Sequence, residues 1–553
     1  MSRFVFVAAA VVTLMLPGLA QAADAWSYQS PRDVKHIALT PLGHLLVGTS
    51  EAIMLLDGTT GKVLWTLDAV RDCSFNLELG ETMCRAGHDG GAVLRVSDDA
   101  PYAWVSLKSG VVVVDLQEGK VTLDSRSLPF KKYKNAQLVF EQDRVLVYAE
   151  EAEGRHVFAG FQASTGAKAW QTETAIVSDY TPLGLRNGRL FGYGKDRHGK
   201  RVLASIDPVG GGLWARDDVL TRDLSNYRLP LPDTDATVVV HLGKDGPIRL
   251  DSQGQVLWRA RRFEGKDPLN KVTDPDVWVR DGSVIYLPNQ KSVYAINTGD
   301  GTVLWEHKSS SEPTRLWTLS TSLLVSADGK LSLVDKKSGA RIWRDEVVVP
   351  GAGWFRVDEA RNRVFALGDK KLSSIDLASG NVTALGTYTI DHDNLDLTPE
   401  GELVATSRRH VTRFDASGKQ RFHREYESPI GDGFWSNFGR LALASALSSI
   451  GPSIGSAAGV YVPGPTLATT MKFVANRRAQ MAEATAQYHF VLFKQEVIGA
   501  EPTYGVARVS LVNGDERGTV SLKEKDPWIV LDAATQTLFY VDEKRSIRAM
   551  RFE

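Results

Sequence analysis

A short phrase that recurs along the chain constrains its fold more than any other feature. The clearest copy runs from Val293 to Trp305, with the sequence VYAINTGDGTVLW. It contains an alternating apolar segment, a polar turn that ends in Gly301, and a second apolar segment that ends on Trp305. Alternation of apolar and polar residues on both sides of a glycine turn is typical of a β-hairpin. The phrase therefore predicts two paired strands wherever it occurs.

Copies of the phrase extend from one end of the chain to the other. Nine clear units and one degenerate unit can be counted, and successive clear units are 38 to 58 residues apart. The turn glycines are Gly61, Gly119, Gly166, Gly211, Gly254, Gly301, Gly339, Gly380 and Gly418, with the degenerate copy at Gly514. An apolar strand and a tight turn precede each hairpin, and a period in the low forties fits one four-stranded propeller blade.

The repeated glycine and tryptophan have a predicted structural role. Glycine accepts the positive φ of a tight turn, and an Asp or Asn before it can accept hydrogen bonds from amides inside the turn. Tryptophan can pack its flat surface on the next sheet. The predicted blade-docking residues are Trp65, Trp170, Trp214, Trp258, Trp305, Trp343, Gly61, Gly166, Gly301 and Gly339.

The pattern A-x-D-x-x-T-G-x-x-x-W resembles the tryptophan-docking repeat of propellers related to pyrroloquinoline-quinone dehydrogenases. It is also similar to the repeat of the non-catalytic periplasmic propeller subunit of the outer-membrane β-barrel assembly machinery. The resemblance covers nearly all of the chain after residue 22. Because the repeat is structural, it implies a fold and not an activity.

We therefore predict an all-β protein, a β-propeller of four-stranded antiparallel blades with tryptophan-docking repeats and a small helical insertion. The repeat count gives about eight or more blades, in one ring or in two. Residues 23–428 form the first propeller repeats, and residues 488–553 form the last. A half unit from Thr537 to Met550 predicts that the C-terminal strands complete a blade with strands near the N-terminus.

The N-terminal residues predict a secretory signal peptide, residues 1–22. The segment from Phe4 to Leu16 is uncharged and largely apolar, and it is too short to span a bilayer comfortably. Ala20-Gln21-Ala22 supplies a small-x-small cleavage pattern. The alternative is an uncleaved anchor. No cysteine follows the apolar run, so no lipid attachment is expected, and we predict a periplasmic protein that is either soluble or peripheral to the envelope.

Two cysteines, Cys73 and Cys84, are present in the chain. In an oxidising compartment, two cysteines at this spacing could close a disulfide across a hairpin or loop. Two buried free thiols are the alternative. Two thiolates alone do not complete a tetrahedral zinc shell, so a metal site at this pair is not expected.

Residues 429–487 interrupt the repeats and predict a helical insertion. No charged residue lies between Arg440 and Lys472, and a helix is expected from Thr466 to about Gln487. The insertion could pack over one mouth of the propeller, contact a partner protein, or contact a lipid surface, in that order of preference. The residues proposed for partner contact are Leu441, Leu443, Leu447, Ile450, Ile454, Val460 and Tyr461.

The sequence contains no pattern that we assign to catalysis. The resemblance implies that a quinone enzyme would use a disulfide between adjacent cysteines, a calcium ion held by Glu, Asn and Asp, and an Asp base, yet Cys73 and Cys84 are not adjacent. No H-E-x-x-H motif and no phosphate loop occurs. We predict no catalytic residue, no cofactor and no metal site.

Two main hypotheses for function follow. The first is a non-enzymatic scaffolding propeller that binds one or more envelope proteins, and the second is a divergent quinone-dependent dehydrogenase. A carbohydrate-acting enzyme is a third, supported only by generic carboxylates. The net charge is −1, with 65 basic and 66 acidic residues, so no nucleic-acid partner is expected. The oligomeric state is left open.

Overall fold

The protein is almost entirely β-structure in the computed structural model. The described residues are 23–76, 81–86, 89–97, 100–107, 110–139, 142–217, 231–232, 237–241, 247–260, 277–289, 291–349, 352–368, 371–387, 394–406, 410–427, 465–495, 503–522 and 528–552. The predicted signal peptide therefore lies outside them. The predicted all-β class is confirmed, because the described strands form eleven antiparallel sheets, nine of which have four strands.

The first five sheets follow one another along the chain. Sheet 1 contains β2 (Val34–Leu39), β3 (Leu45–Thr49), β4 (Ile53–Leu56) and β5 (Val63–Leu67). Sheet 2 contains β6 (Val70–Asn76), β7 (Glu81–Ala86), β8 (Asp89–Val96), β9 (Tyr102–Ser106), β10 (Val111–Asp115) and β11 (Lys120–Asp124). Sheet 3 contains β12 (Lys132–Val139), β13 (Arg144–Glu150), β14 (His156–Gln162) and β15 (Lys168–Glu173). Sheet 4 contains β16 (Ser178–Arg186), β17 (Arg189–Lys195), β18 (Arg201–Ile206) and β19 (Leu213–Arg216). Sheet 5 contains β20 (Leu231–Pro232), β21 (Val238–His241), β22 (Pro247–Leu250) and β23 (Val256–Arg259).

The next five sheets continue the series. Sheet 6 contains β24 (Val279–Asp281), β25 (Val284–Asn289), β26 (Ser292–Asn297) and β27 (Val303–Lys308). Sheet 7 contains β28 (Arg315–Thr318), β29 (Ser322–Ala327), β30 (Lys330–Asp335) and β31 (Val347–Val348). Sheet 8 contains β32 (Ala352–Asp358), β33 (Arg363–Gly368), β34 (Lys371–Asp376) and β35 (Val382–Thr387). Sheet 9 contains β36 (Asn394–Leu397), β37 (Leu403–Thr406), β38 (His410–Phe414) and β39 (Gln420–Glu425). Sheet 10 contains β40 (Tyr488–Gln495), β41 (Thr503–Ser510) and β42 (Glu516–Leu522).

Sheet 11 joins the two ends of the described chain. It contains β43 (Ile529–Asp532), β44 (Thr537–Asp542) and β45 (Ser546–Arg551), with β1 (Ala23–Gln29) at its edge. Ala23 lies opposite Arg551, and Gln29 lies opposite Ser546. The C-terminal half unit thus forms a sheet with the N-terminal strand, as the sequence predicted.

Apolar clusters lie between successive sheets and join them in a single circuit. Leu46 of sheet 1 packs with Val105 of sheet 2, and clusters of the same kind fill each following interface. Phe490 of sheet 10 shares a cluster with sheet 11. Phe539 of sheet 11 packs with Val47 of sheet 1, which completes the circuit.

The strands in the middle of a sheet are buried on both faces because each sheet is covered on both sides. Every residue of β3 and β4 is buried, whereas β5 alternates between exposed and half-buried positions. This explains why the middle strands form continuous apolar runs in the sequence. Hydrophobic burial between the sheets is the main stabilising contribution available to such an arrangement.

Sheet 2 departs from the expected four strands. The spacing between Gly61 and Gly119 is the longest of the regular repeat spacings, and the additional residues extend this sheet to six strands. Cys73 lies on β6 and Cys84 on the neighbouring antiparallel β7. Their side chains lie outside the described part of the structure, so the disulfide remains a prediction.

The outer strand does not end on its tryptophan, contrary to expectation. In sheet 6, Ala295 lies opposite Trp305 while Ile296 lies opposite Val303, so Leu304 is an extra residue in the pair. The same bulge precedes the tryptophan at Leu64 and Leu257. A bulge redirects the next side chain and bends the strand, so β27 continues past Trp305 to Lys308.

Trp343 is a separate exception. It lies before the short strand β31 rather than within it, and near it the chain contacts β30 only through a bridge between Val334 and Arg341. Trp343 nevertheless contacts the next sheet in the same way as the other docking tryptophans, through the Leu377 carbonyl and Gly380.

Helix α1 spans Pro465–Gln487 and is the single α-helix among the described residues. Its bounds differ by one residue from those expected for the second half of the insertion. No described helix has the length and apolar character needed to cross a membrane. Residues 428–464, the first part of the insertion, lie outside the described residues.

Candidate functional site

Each docking tryptophan makes one specific hydrogen bond to the following sheet. Trp305 Nε1 of sheet 6 donates to the Lys336 carbonyl of sheet 7 at 2.8 Å. Its ring covers Gly339, where an added Cβ would lie 2.6 Å from the ring. The equivalent donations run from Trp65 to Leu116, Trp170 to Pro208, Trp214 to Ser252, Trp258 to Thr298 and Trp343 to Leu377, all at 2.7–3.1 Å.

The turn that receives the tryptophan requires glycine for two reasons. Gly301 has φ of 74°, a left-handed conformation that a residue with a side chain rarely adopts. The ring of Trp258 also lies where its Cβ would be. Asn297 Oδ1 accepts a hydrogen bond from the Gly299 amide at 2.7 Å, so the residue before the turn fixes its backbone.

The acidic residues that replace Asn297 in other units act in the same way. Asp335 Oδ1 accepts hydrogen bonds from the Ser338 hydroxyl at 2.7 Å and from the Ser338 amide at 2.8 Å. These bonds favour the ionised form and lower the pKa of Asp335. Asp57 makes the corresponding contacts with the Thr59 and Thr60 amides. The Gly, Asp and Trp of the repeat therefore act together in local structure.

Trp26 is a docking tryptophan that the sequence analysis missed. It lies on β1, its Nε1 donates to the Gly58 carbonyl at 3.0 Å, and its ring covers Gly61. In the other units a repeated glycine turn comes shortly before the tryptophan, but no copy of that turn precedes Trp26 in the chain. The signal was therefore hidden, because the rest of this hairpin lies at the other end of the sequence.

Three of the turn glycines receive something other than tryptophan. Gly166 lies against the carbonyl oxygen of Thr122, so its predicted docking position has no tryptophan partner. Gly418 lies against Leu385, and Gly514 lies against Phe422. An aliphatic or phenyl side chain covers the glycine but cannot donate to the turn carbonyl.

Arginine supplies the missing donor in the later sheets. Arg413 of sheet 9 donates from Nη1 to the Leu511 carbonyl of sheet 10 at 2.5 Å, and Leu511 precedes Gly514 by the same three residues that separate Lys336 from Gly339. Arg363 of sheet 8 donates to the Ala416 carbonyl of sheet 9. An arginine also donates to such a carbonyl beside a tryptophan, since Arg249 and Trp258 both donate to the Thr298 carbonyl.

Helix α1 lies across the turns of several sheets. The Gln117 side-chain amide, in the turn after β10, donates to Thr470 Oγ1 at 3.0 Å. Arg477 lies beside Gly43 in the turn after β2, and a Cβ at Gly43 would lie 2.7 Å from its guanidinium. At the far end, the Leu511 amide donates to the Gln487 carbonyl at 2.8 Å. The helix thus contacts sheets 10, 1 and 2 on the side that carries these turns, which we call the turn face.

An ion pair anchors the middle of the helix. Arg477 Nη2 lies 2.5 Å from Asp532 Oδ1 of sheet 11, and both side chains are more than nine-tenths buried. Nearby, burial lowers the pKa of His44, the positive charge of Arg477 lowers it further, and Asp57 opposes both effects. The lowered pKa favours the neutral form of His44 beside the Arg477 guanidinium.

The opposite side of the helix faces solvent. Thr470, Val474 and Arg477 are buried and recur at the spacing of one helical face. Phe473 lies at the edge of this buried face, three residues after Thr470 and four before Arg477, and it is 52% exposed. Its exposed neighbours on the solvent side are Lys472, Asn476, Gln480 and Glu483. We call these five residues the outer face of α1.

The outer strands of the sheets offer a second kind of surface. Leu304 is 48% exposed because the bulge before Trp305 leaves it outside the strand pairing. Leu64 and Leu257 are exposed at the equivalent positions of β5 and β23, each of which lies at the edge of its sheet. The edge of a sheet has backbone groups that can pair with an added strand.

The insertion residues proposed for partner contact all lie outside the described residues. These are Leu441, Leu443, Leu447, Ile450, Ile454, Val460 and Tyr461. The described structure adds Phe473 and its neighbours on α1, which follow this uncharged segment directly in the chain. The sequence could not show that Phe473 is exposed, because the contacts that decide which side of the helix packs come from turns distant in the sequence.

The circuit of four-stranded sheets, joined by tryptophans on the turns of the following sheet, defines a β-propeller of the tryptophan-docking type. Residues 199–425 match the family model described as outer membrane protein assembly factor BamB. The match covers less than half of the chain. Within it, the PQQ-like repeat that the sequence predicted is confirmed.

Several solved structures are also similar to the chain. BamB from Moraxella catarrhalis is 16% identical, with 66% of this chain and 99% of that chain covered and a TM-score of 0.28. Dihydro-heme d1 dehydrogenase NirN in complex with DHE is 13% identical, with 66% and 80% covered and a TM-score of 0.30. No curated protein sequence matches the chain.

Proposed function

We propose that this protein is a non-enzymatic scaffold of the bacterial envelope that binds a partner protein through the outer face of α1. The observation that carries the proposal is the orientation of the helix. The face that contains Thr470, Val474 and Arg477 is fixed to the turn face, and Phe473 at the edge of this face is exposed to solvent. A large aromatic side chain on a fixed helix is a suitable anchor for a protein interface.

The repeat residues support a structural role for the rest of the chain. Each docking tryptophan is engaged with a glycine and a backbone carbonyl of the next sheet. The match of residues 199–425 to an assembly-factor family supports the same class of function. An envelope location rests on that family and on the predicted signal peptide.

Site-specific photo-crosslinking in cells tests the proposal. A photoreactive amino acid would replace Phe473 on α1, Leu304 on an outer strand, or His198, which is exposed in the turn after β17. We expect one envelope protein to be captured reproducibly from position 473. Capture from position 304 alone would move the interface to the outer strands, and equal capture from position 198 would contradict a specific surface.

Substitution of the anchor gives an independent measurement. We expect Phe473→Glu to reduce binding of the captured protein, measured with both purified components, by at least tenfold. Leu304→Glu is the matched control, because it also places a carboxylate at a half-exposed apolar position and should leave binding unchanged.

The quinone-dependent alternative is tested separately with the purified protein. We expect no change in the absorbance spectrum and no dye reduction after addition of pyrroloquinoline quinone, calcium and an alcohol or sugar. Turnover that depends on the cofactor would overturn the proposed function.

A further inference from the structure

Two histidines and a glutamate lie together on one side of sheet 9. His410 lies opposite Glu425 on the paired strands β38 and β39, and Thr412 lies opposite His423. Side chains at alternate positions of a strand point to the same side, and directly opposed residues share that side. The register therefore places these four side chains beside one another.

The distances within this group suit a single small ion. One potential ligand atom from each of His410, His423 and Glu425 lies within 4.8 Å of the other two. The two imidazole rings are nearly parallel, with an angle of 14° and centroids 5.8 Å apart. A metal ion bound at 2.0–2.2 Å to each ligand brings the ligand atoms to within about 4 Å of one another, so small side-chain adjustments are sufficient.

Thr412 occupies one of the two ring nitrogens of His423. Its Oγ1 lies 2.8 Å from His423 Nδ1. When Nδ1–H donates to that hydroxyl, the lone pair of His423 is on Nε2 and is available to a metal. A hydrogen bond of this type to the other ring nitrogen is the usual support of a metal-binding histidine.

The burial of the three residues forms a site with one open side. His410 is buried at 3% exposure, His423 is half-buried and Glu425 is exposed. Phe414 follows on the same side of β38 and belongs to the apolar cluster between sheets 8 and 9. The ligands thus lie between an apolar interior and solvent, with an entry path beside Glu425.

We propose that His410, His423 and Glu425 bind a divalent first-row transition metal, for which Zn²⁺ is the probe. Two imidazole nitrogens and one carboxylate oxygen form a ligand set that Zn²⁺ accepts, and three protein ligands leave a fourth position for water. The spacing H-x12-H-x-E is not a local zinc motif, and only the hairpin register brings these residues together.

Titration of the tag-free mature chain with Zn²⁺ alone tests the site. We expect one Zn²⁺ per chain by calorimetry, and a rise in melting temperature that grows with Zn²⁺ concentration. Replacement by Co²⁺ should give the visible absorption of a low-coordinate site with nitrogen ligands.

Variants separate this site from adventitious binding. His423→Ala and Glu425→Gln should each weaken Zn²⁺ binding by at least tenfold, and Thr412→Val should weaken it by about tenfold. His198→Ala, which removes an exposed histidine outside the group, should leave the affinity unchanged. Glu425 is exposed, so its variant keeps the test valid if the substitution of His423 impairs folding. Unchanged affinity in Glu425→Gln, equal loss in His198→Ala, or no binding by the wild type at millimolar Zn²⁺ would each overturn the proposal.

Discussion

At the scale of single residues, side chains that differ greatly in chemistry donate hydrogen bonds to a backbone carbonyl at the same place in the turn. The indole of Trp305 donates to Lys336, and the guanidinium of Arg413 donates to Leu511. Both acceptors precede a turn glycine by three residues, Gly339 and Gly514. An acceptor at the same place in the turn is therefore satisfied by an indole in one unit and by a guanidinium in the other.

Arg413 should consequently be worth much more to stability than its neighbour Arg421. Both arginines pair with the buried Glu402, but the Arg413 side chain is only 13% exposed and bonds sheet 10, whereas Arg421 is 52% exposed. We expect Arg413→Met to lower the free energy of unfolding by about 1–3 kcal/mol, because the Leu511 carbonyl loses its donor while Glu402 keeps only the exposed Arg421. Arg421→Met should cost less than about 1 kcal/mol. Urea unfolding measures both, and equal losses would contradict the assignment.

His307 should make stability depend on pH. Burial lowers its pKa below the ordinary value of 6.5, the positive charge of Arg341 lowers it further, and Glu346 and a backbone contact with Gly339 oppose these effects. The unfolded chain therefore takes up a proton that the folded chain resists, and stability present above pH 6.5 is lost as the pH falls below it.

The measurement is the difference between melting temperatures at pH 7 and pH 5. We expect the protein to melt lower at pH 5, and His307→Gln to reduce that difference. The exposed His198 provides the control, since His198→Gln should retain the full wild-type difference. A wild-type difference that persists in His307→Gln would show that another group is responsible.

The residues that were predictable from sequence are those whose partners are close in the chain or repeated along it. Gly301 and Asn297 form one turn, so their roles could be inferred from the phrase alone. Arg413 and Leu511 are 98 residues apart, and nothing local marks them as partners. His410 and His423 are nearer, but their proximity depends on a bulge in the register of β38 and β39, which a repeat pattern does not reveal.

At the scale of elements, helix α1 is held mainly by polar side-chain contacts rather than by an apolar stripe. Its buried contacts include a threonine and an arginine, Thr470 and Arg477, with one aliphatic residue, Val474. The sequence predicted the helix because the residues favour it and Gly464-Pro465 precedes it. The sequence could not indicate which side of the helix packs on the sheets, because Arg477 and Arg478 are the same residue type and differ only in their structural contacts.

Arg477 and Arg478 therefore make a matched pair for testing how α1 is attached. Arg477→Ala removes the ion pair with Asp532 and leaves a buried carboxylate without its partner. We expect amide hydrogen exchange to increase across residues 465–487 by at least tenfold while the middle strands of sheets 4 to 7 stay protected. Arg478→Ala should leave exchange in the helix within about twofold of the wild type. Increased exchange in both variants, or in neither, would show that the ion pair does not hold the helix.

At the scale of the whole molecule, the described sheets form a circuit that the pairing of β1 with β45 closes. The sequence predicted this pairing because the last repeat is only half a unit. The six strands of sheet 2 could not be predicted in the same way, because its additional hairpin lies within a longer spacing and has no copy of the phrase. The repeats made the fold predictable, whereas departures from the repeat, such as the six strands of sheet 2, could not be predicted.

A disulfide across the pairing of β1 with β45 should stabilise the entire circuit. Gln29 and Ser546 are directly opposed, so cysteines at both positions lie within the reach of a disulfide. Because the closed loop would contain nearly the whole chain, we expect the oxidised Gln29→Cys, Ser546→Cys protein to gain up to about 5 kcal/mol in stability.

Each single-cysteine variant serves as the control and should melt within a degree or two of the wild type. The measurement is the melting temperature of the oxidised double variant. If the double variant forms the disulfide but melts no higher than the single variants, opening at this pairing does not limit the stability of the protein.

The composition of sheet 11 also has a consequence for the order in which the molecule can be completed. Its edge strand β1 is synthesised before almost all of the other described strands, and β45, which pairs with it, follows them. At the usual rate of synthesis, roughly 25 to 100 s separate the two. During that interval β1 has no β45 to pair with, and the contact of Trp26 with sheet 1 is not yet supported by a complete sheet 11. Protection of the newly made N-terminal strand from premature pairing is thus a requirement that this topology imposes on any cell that produces the protein.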